Sequence, residues 1–453
     1  MHPGARLCAM AVAAMTAVAV ALGAGPAQAN SAPDTVAPLP ADFLWGVASS
    51  GFQTEGHAPD SNWTRYIARS GYEPYRDSVD FYDRYAEDIE LAHRLGVKVY
   101  RISIEWARLQ PAPDRWDEDA FRFYDRVIGE IVGKGMRPML TLDHWVYPGW
   151  ALDAGGWRNP GMVDSWLANM RRVVDRYADR NPLWVTINEP VAYAVHELTE
   201  AHVSGGDFDA GFTEIVDRFV QAHRASYDYI RQRQPDALVT SNIGYISGDT
   251  TGINDRIIDR IADKVSFVGV DYYFDASTGD PRPVARSAAG TDIAQLWELP
   301  LAAEGVYYAL RHYARRFPTL PLFVVENGLS TDNGFGRTDG YDRADYLRDT
   351  AYWLQRARTD GYNVIGYNYW SLTDNYEWGS YTPRFGLYTV FVDVDPFLIR
   401  FPTPAADAYR AVTATGGVPP GYLPTRRPAP CSRIDPPSSC SDPVVLPDRA
   451  GNP

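Results

Sequence analysis

Between about residue 40 and residue 416, two hydrophobic patterns alternate along the chain. Short runs that are apolar at consecutive positions predict strands buried on both faces. They are FLWGVASS (43–50), KVYRISIEW (98–106), RPMLTLDHW (137–145), LWVTINEP (183–190), ALVTSNIGY (237–245), KVSFVGVDYY (264–273), PLFVVENG (321–328) and NVIGYNYWSL (363–372). In the fourth run, Pro190 is expected to end the strand. Longer stretches with helical spacing lie between the runs. YDRYAEDIELAHRLG places Tyr85, Ile89 and Ala92 on one stripe with charges opposite. DAFRFYDRVIGEIVGKG, VDSWLANMRRVVDRYADR, FTEIVDRFVQAHRASYDYIRQRQ and ADYLRDTAYWLQRARTDG repeat that spacing. Gly96, Gly135 and Gly361 stand where helices are expected to stop. Eight strand–helix units predict an α/β chain folded as a (β/α)8 TIM barrel, with a doubly wound open sheet as the alternative.

The flanks read differently. Residues 1–29 carry Arg6, an apolar run and Ala27-Gln28-Ala29, the layout of a secretory signal peptide cleaved after Ala29. A retained membrane anchor is the alternative, but the run is short for a span. Residues 30–39 read as a linker, 40–416 as the barrel and 417–453 as a proline-rich irregular tail too short to bury a core. Cys8 would leave with the signal. Cys431 and Cys440 remain, with no His or further Cys near them, so a disulfide is expected rather than a metal site. Together these features predict a secreted protein with no membrane contact after signal removal.

A net charge of -14 and a pI of about 5.1 argue against nucleic acid as a partner, since phosphates need a basic face. Thirteen tryptophans and 29 tyrosines suit either a large aromatic core or a surface that binds a molecule with apolar faces and hydroxyl edges.

Chemistry in such barrels gathers at the C-terminal ends of the strands. The first run leads to Gln53 and Glu55, and the second contains Arg101 and Glu105. The third ends in Asp143, His144 and Trp145, the fourth in Asn188 and Glu189. The sixth ends in Asp271, Tyr272 and Tyr273, the seventh in Glu326 and Asn327, the eighth in Asn368 and Trp370. Lysine is nearly absent from these ends, unlike an ordinary solvated rim. Glu189 and Glu326 occupy equivalent places on nearly opposite strands. A facing carboxyl pair suits glycosidic cleavage, in which one carboxyl protonates the leaving oxygen and the other attacks or stabilises the anomeric carbon. Mutual repulsion keeps one of them protonated. A divalent-metal site is the alternative, but only His144 is on hand as an imidazole ligand.

With these residues assembled, the chain resembles glycoside hydrolase family 1, the β-glucosidase and β-galactosidase family. The resemblance rests on FLWGVASSGFQTEG, YRISIEWARL, TLDHW, TINEP, VVENG and WSLTDNYEW followed by RFGL, in that order. It implies that Glu189 is the general acid/base and Glu326 the nucleophile. Asn188 would bond the sugar 2-hydroxyl, while Arg101 and Tyr273 would lie against the nucleophile. Gln53, His144, Trp145, Glu377 and Trp378 would grip the sugar, with Trp370 as the floor under its apolar face. Glu377, in the absence of a nearby lysine, points to an unphosphorylated glycoside.

Two departures stand out. Asp271 occupies a position where the family usually has Asn, and the stretch after TINEP lacks the glycine-rich sequence common in relatives. The expectation is a secreted, retaining, exo-acting β-glycosidase with a small-molecule glycoside as partner and neither cofactor nor metal. The glycone (glucose, galactose, fucose or mannose), the aglycone, the balance of hydrolysis and transglycosylation, and the oligomeric state stay open. A non-catalytic carbohydrate-binding barrel is the rival from another class.

Overall fold

In the computed structural model, which describes residues 35–200, 208–245, 252–274, 293–299, 301–429 and 438–447, the apolar runs become parallel strands. These are β1 (Leu44–Ala48), β2 (Val99–Ser103), β3 (Arg137–Thr141), β4 (Leu183–Val185), β5 (Val239–Thr240), β6 (Ile243–Gly244), β7 (Val268–Asp271) and β8 (Leu322–Asn327). After the short β9 (Thr331–Asp332) comes β10 (Val364–Trp370). The hydrogen-bonded order is β5-β4-β3-β2-β1-β10-β8-β7-β6. The two ends of that order, β5 and β6, follow one another in the chain with only Ser241 and Asn242 between them. The fifth predicted strand is therefore one strand with a break, and the ladder closes into the predicted barrel.

Two apolar layers hold the barrel. Its bore is filled by Val99, Met139, Leu183, Val185, Phe267, Phe323 and Val325, all inaccessible to solvent. That is packed core. A larger cluster joins the outward faces of the strands to the helices, among them Ile89 and Ala92 from the stripe read in the sequence. The helices Phe81–Arg94, Glu118–Gly133 and Arg343–Thr359 end just before Gly96, Gly135 and Gly361, each at positive φ. At Gly135 the amide donates to Val132 O and the next amide, Met136 N, donates to Ile131 O, a Schellman closure that glycine adopts without steric cost.

One boundary differs from its expectation. β4 stops at Val185, and Pro190 is the first residue of the helix Pro190–Glu200. A proline lacks the N–H that would be unsatisfied in a helix's first turn anyway, so it starts this helix instead of ending the strand. Thr186 to Glu189 thus form a turn above the barrel.

The tail is docked on the body. Gln355 Oε1 accepts from Val418 N at 2.7 Å, Asp349 accepts from Tyr422 Oη and Thr425 N, and Val444 is buried with its N–H donating to Tyr308 Oη. The predicted signal peptide and Cys431, the expected partner of Cys440, lie outside the described residues. Among the described residues, no helix is long and apolar enough to cross a membrane.

Candidate active site

β8 carries Glu326 to the C-terminal end of the barrel, where it is 3% exposed. Arg101, on β2 and fully buried, spreads its guanidinium over three acceptors. Nε donates to Thr141 Oγ1 at 3.0 Å, Nη2 to Asn188 Oδ1 at 2.6 Å, and Nη1 to Glu326 Oε1. Tyr273, just past β7, donates its hydroxyl to Glu326 Oε2 at 2.8 Å. Both oxygens of Glu326 are therefore held by donors that favour a carboxylate.

Glu189 has a different environment. It sits in the turn after β4 at φ 41° and is only partly enclosed. Among the described residues no donor reaches its carboxyl group. Burial, then the neighbouring Glu326 and Glu377, push its pKa up to about 8 against the opposing pull of Arg101. Gly244, at the end of β6, leaves room for it, because a Cβ there would overlap the Glu189 carboxyl oxygen. One carboxyl oxygen from each of Glu189, Asp271 and Glu326 lies within 4.8 Å of the others. Three such oxygens could also hold a cation, but the Arg101 guanidinium already donates into Glu326 and would repel one.

Asn188 organises the neighbourhood. Its Oδ1 accepts from Arg101 Nη2 and, at 2.7 Å, from Asn242 Nδ2. Its Nδ2 then faces His144 Nε2 at 3.3 Å. Burial, reinforced by Arg101, holds the His144 pKa well below its ordinary value, so the ring is neutral. With Nε2 accepting, the proton sits on Nδ1, a buried donor without a partner among the described residues.

His144 lies nearly parallel to Trp370 and Trp378, with centroids 5.7 and 5.9 Å away, and Trp378 stacks on Trp145 at 5.1 Å. Trp145 also donates Nε1–H to Asn188 O at 3.0 Å. Gln53, fully buried, accepts from Ser50 Oγ at 2.7 Å and directs Nε2 to Asn375 Oδ1 and Glu377 Oε2, each at 3.2 Å. Burial and then Glu326 raise the Glu377 pKa to about 8. Trp145 and Trp378, like Glu189, adopt positive φ, at 70° and 43°. Such a backbone costs energy in non-glycine residues and concentrates where a side chain must be aimed.

All eleven candidate sugar-site residues thus belong to one connected constellation at one end of the barrel. Several other polar residues of the strand ends do not join it; Tyr272, for one, donates its hydroxyl to Ala302 O at 2.8 Å. Glu55 and Glu105 form a separate buried cluster with Arg108 and Tyr124. Asn327 turns outward to Tyr272 O and Tyr346 Oη, and Asn368 lies inside the barrel against Met139 Sδ and Val325 O. Conversely, Asn242, Gly244 and Asn375 had no assigned role. Asn242 stands at the end of the fifth run, in the same place as the polar residues of the other seven, and that was the available signal. Gly244 had none, because the need for an absent side chain shows only when its neighbour is placed.

The polar groups and aromatic planes would suit a sugar ring, and comparison with known proteins agrees. The description "Glycosyl hydrolase family 1" matches residues 35–251 and 246–418. Beta-glucosidase A of Thermotoga maritima is 29% identical over 425 residues, covering 78% of this chain and 93% of that protein. The 1,4-beta-D-glucan glucohydrolase of Thermotoga neapolitana is 29% identical over 421 residues, covering 78% and 98%. The solved structure of the Thermotoga maritima beta-glucosidase in complex with deoxynojirimycin superposes with a TM-score of 0.71 at 26% identity, over 84% of this chain and 100% of that one. A matching barrel and a family match across most of its length mean that this chain belongs to glycosyl hydrolase family 1 and is an O-glycosyl hydrolase.

Proposed function

We propose that the protein is a secreted, exo-acting, retaining β-glycosidase, β-glucosidase-like and specific for unphosphorylated β-glycosides. Glu189 gives its proton to the leaving oxygen as Glu326 attacks the anomeric carbon. The C–O bond to the aglycone breaks and a glycosyl ester forms on Glu326. Glu189, now a carboxylate, takes a proton from water, which attacks the same carbon and frees Glu326. Asn188 offers Nδ2 to the 2-hydroxyl, and Arg101 and Tyr273 hold the nucleophile in line. Gln53, His144 and Glu377 would take the remaining hydroxyls, between Trp145, Trp370 and Trp378.

The observation that carries this reading is the approach of Glu189 and Glu326 oxygens to within 4.8 Å. Retaining enzymes hold their carboxyl groups about 5–5.5 Å apart, whereas inverting ones need roughly 6.5–9.5 Å to admit a water. The contrast in surroundings supports the division of roles, since donors surround Glu326 and, among the described residues, none reaches the Glu189 carboxyl group. Glu377 supports the unphosphorylated substrate, because a carboxyl group beside the sugar gives a phosphate no cationic partner. Export, with cleavage after Ala29 and a Cys431–Cys440 disulfide, rests on the sequence pattern alone.

The test is a panel of aryl β-glycosides with the first-formed anomer read by NMR. Retention and a slow-turnover 2-fluoro glycoside adduct on the Glu326 peptide are expected. Inversion, or an adduct on another residue, would refute the mechanism. N-terminal sequencing of the exported protein checks the cleavage site.

A further inference from the structure

We propose that Asp271 is an undissociated carboxylic acid in the working enzyme, so that Glu189, Asp271 and Glu326 together hold two protons and one negative charge. The inference rests on the retaining-glycosidase reading for its consequences, but its basis is the count of donors and charges around Asp271.

The residue is 1% exposed, and one of its oxygens lies within 4.8 Å of those of both Glu189 and Glu326. Strand register brings it there, because Asp271 on β7 pairs with Glu326 on β8. The charged and titratable groups that face it are Glu326 from β8, Glu189 from the turn after β4, Arg101 from β2 and Tyr273 two residues along its own chain. Glu377 stands further round, acting on Glu189 and paired through Gln53.

Arg101 is the only cation in that set among the described residues, and its bonds go to Thr141, Glu326 and Asn188. The Tyr273 hydroxyl also goes to Glu326. Asp271 receives one donor, Asn242 Nδ2 on Oδ2, and its Oδ1 has no partner among the described residues. The orientation of Asn242 is not arbitrary. The same Nδ2 serves Asn188 Oδ1, and a turned amide would set two acceptors against each other.

A buried carboxylate is stable when a cation or two to three donors surround it. Glu326 has such a shell and Asp271 does not. Burial first, then the charges of Glu326 and Glu189, raise the Asp271 pKa well above its ordinary value.

The single negative charge is conserved through the reaction, while the Glu189 proton leaves with the aglycone and is regained from water. In the resting enzyme Glu326 carries the single charge. In the glycosyl-enzyme Glu326 is an uncharged ester, Glu189 carries the charge and Asp271 keeps its proton. Ionisation of Asp271 would add a second negative charge beside Glu189, hold the Glu189 proton more tightly and repel Glu326. Asp271 therefore acts as a positioning residue, holding the Asn242 amide toward Asn188 without competing for Arg101.

Two measurements decide the matter. Infrared difference spectra compare Glu189→Gln with Glu189→Gln/Asp271→Asn at neutral pH, in the stretch of a protonated carboxyl group. Loss of such a band in the double variant is expected. The alkaline limb of kcat/KM is then compared between the wild type and Asp271→Asn. An uncharged residue replaces an uncharged one, so the limb should stay within about 0.3 pH unit. No band difference, or a limb moved toward acid by about one unit, as removal of a neighbouring like charge produces, would overturn the proposal. Should Asp271→Asn fail to fold, Asp271→Ser carries both readouts. The infrared result needs no turnover, so it stands even if the wild type proves inactive on β-glycosides, which would sink the functional reading alone.

Discussion

Two buried carboxyl clusters sit at the same end of the barrel, each served by one arginine. In the first, Glu55 takes Arg108 Nε at 2.9 Å and Tyr124 Oη at 2.8 Å, while Glu105 takes Ser103 Oγ at 2.7 Å. Arg108 continues to Gly56 O, Ser103 Oγ receives Gly51 N, and Tyr124 Oη receives Glu105 N. In the second, around Arg101, Asp271 Oδ1, Asn242 Oδ1 and His144 Nδ1 have no partner among the described residues, and Glu189 stays partly open. Both clusters contain strongly displaced carboxyl pKa values, so displacement by itself does not mark a catalytic site. What separates them is unspent hydrogen-bonding capacity beside a partly exposed carboxyl group, Glu189.

The sharpest way to break this contrast is to remove the nucleophile. Glu326→Gly should lower kcat by about 10⁴-fold or more on every aryl β-glycoside while the protein still folds, as checked by steady-state kinetics and circular dichroism. Glu189→Ala should cost about 10²–10⁴-fold on substrates with poor leaving groups and far less on activated aryl glycosides, measured as the dependence of rate on leaving-group pKa. Equal losses on both would remove Glu189 from the acid role. The wild-type kcat/KM should fall above about pH 8, where Glu189 loses its proton.

Gly244→Ala is a subtler probe. Its Cβ overlaps the Glu189 carboxyl oxygen, so kcat should drop by roughly 10- to 100-fold with little change in KM, as small misplacement of a catalytic group does. The closed cluster should respond in stability alone. Burial and Glu55 raise the Glu105 pKa to about 8 from an ordinary 4.5. Its contribution is therefore full below pH 4.5 and is lost as pH rises through 8. Glu105→Gln should gain on the order of 1–3 kcal/mol over wild type at pH 9 and none at pH 5, read from denaturant melts, with kcat little altered. The smallest effect is expected from a chelator, which should leave activity where it was, since the Arg101 guanidinium beside Glu326 would repel a cation.

Much of this molecule was legible in its sequence, for physical reasons. Parallel barrel strands are covered on both faces and so read as unbroken apolar runs, and glycine at a helix end marks a positive φ that other residues resist. The strand runs put Glu189 after the fourth strand and Glu326 at the end of the seventh, where the structure has them. The strand-end rule then claimed too much. It grouped Glu55, Glu105, Asn327 and Asn368 with the site, because position along a strand does not say which way a side chain turns. It also claimed too little, passing over Asn242 on the broken fifth strand. Pro190 was misjudged because a proline ends a strand and begins a helix equally well.

The order of amino acids by itself determined the eight units and which residue types would stand at their ends. It did so because burial and backbone geometry act locally and repeat with each unit. Only the tertiary structure decided which of those groups share a charge. Arg101 and Glu326 are 225 residues apart in the chain, and their contact depends on register, on the turn that lifts Glu189, and on the space left by Gly244. A carboxyl group's protonation follows from the sum of its neighbours' fields and donors within a few ångströms, and that sum exists only once the chain has folded.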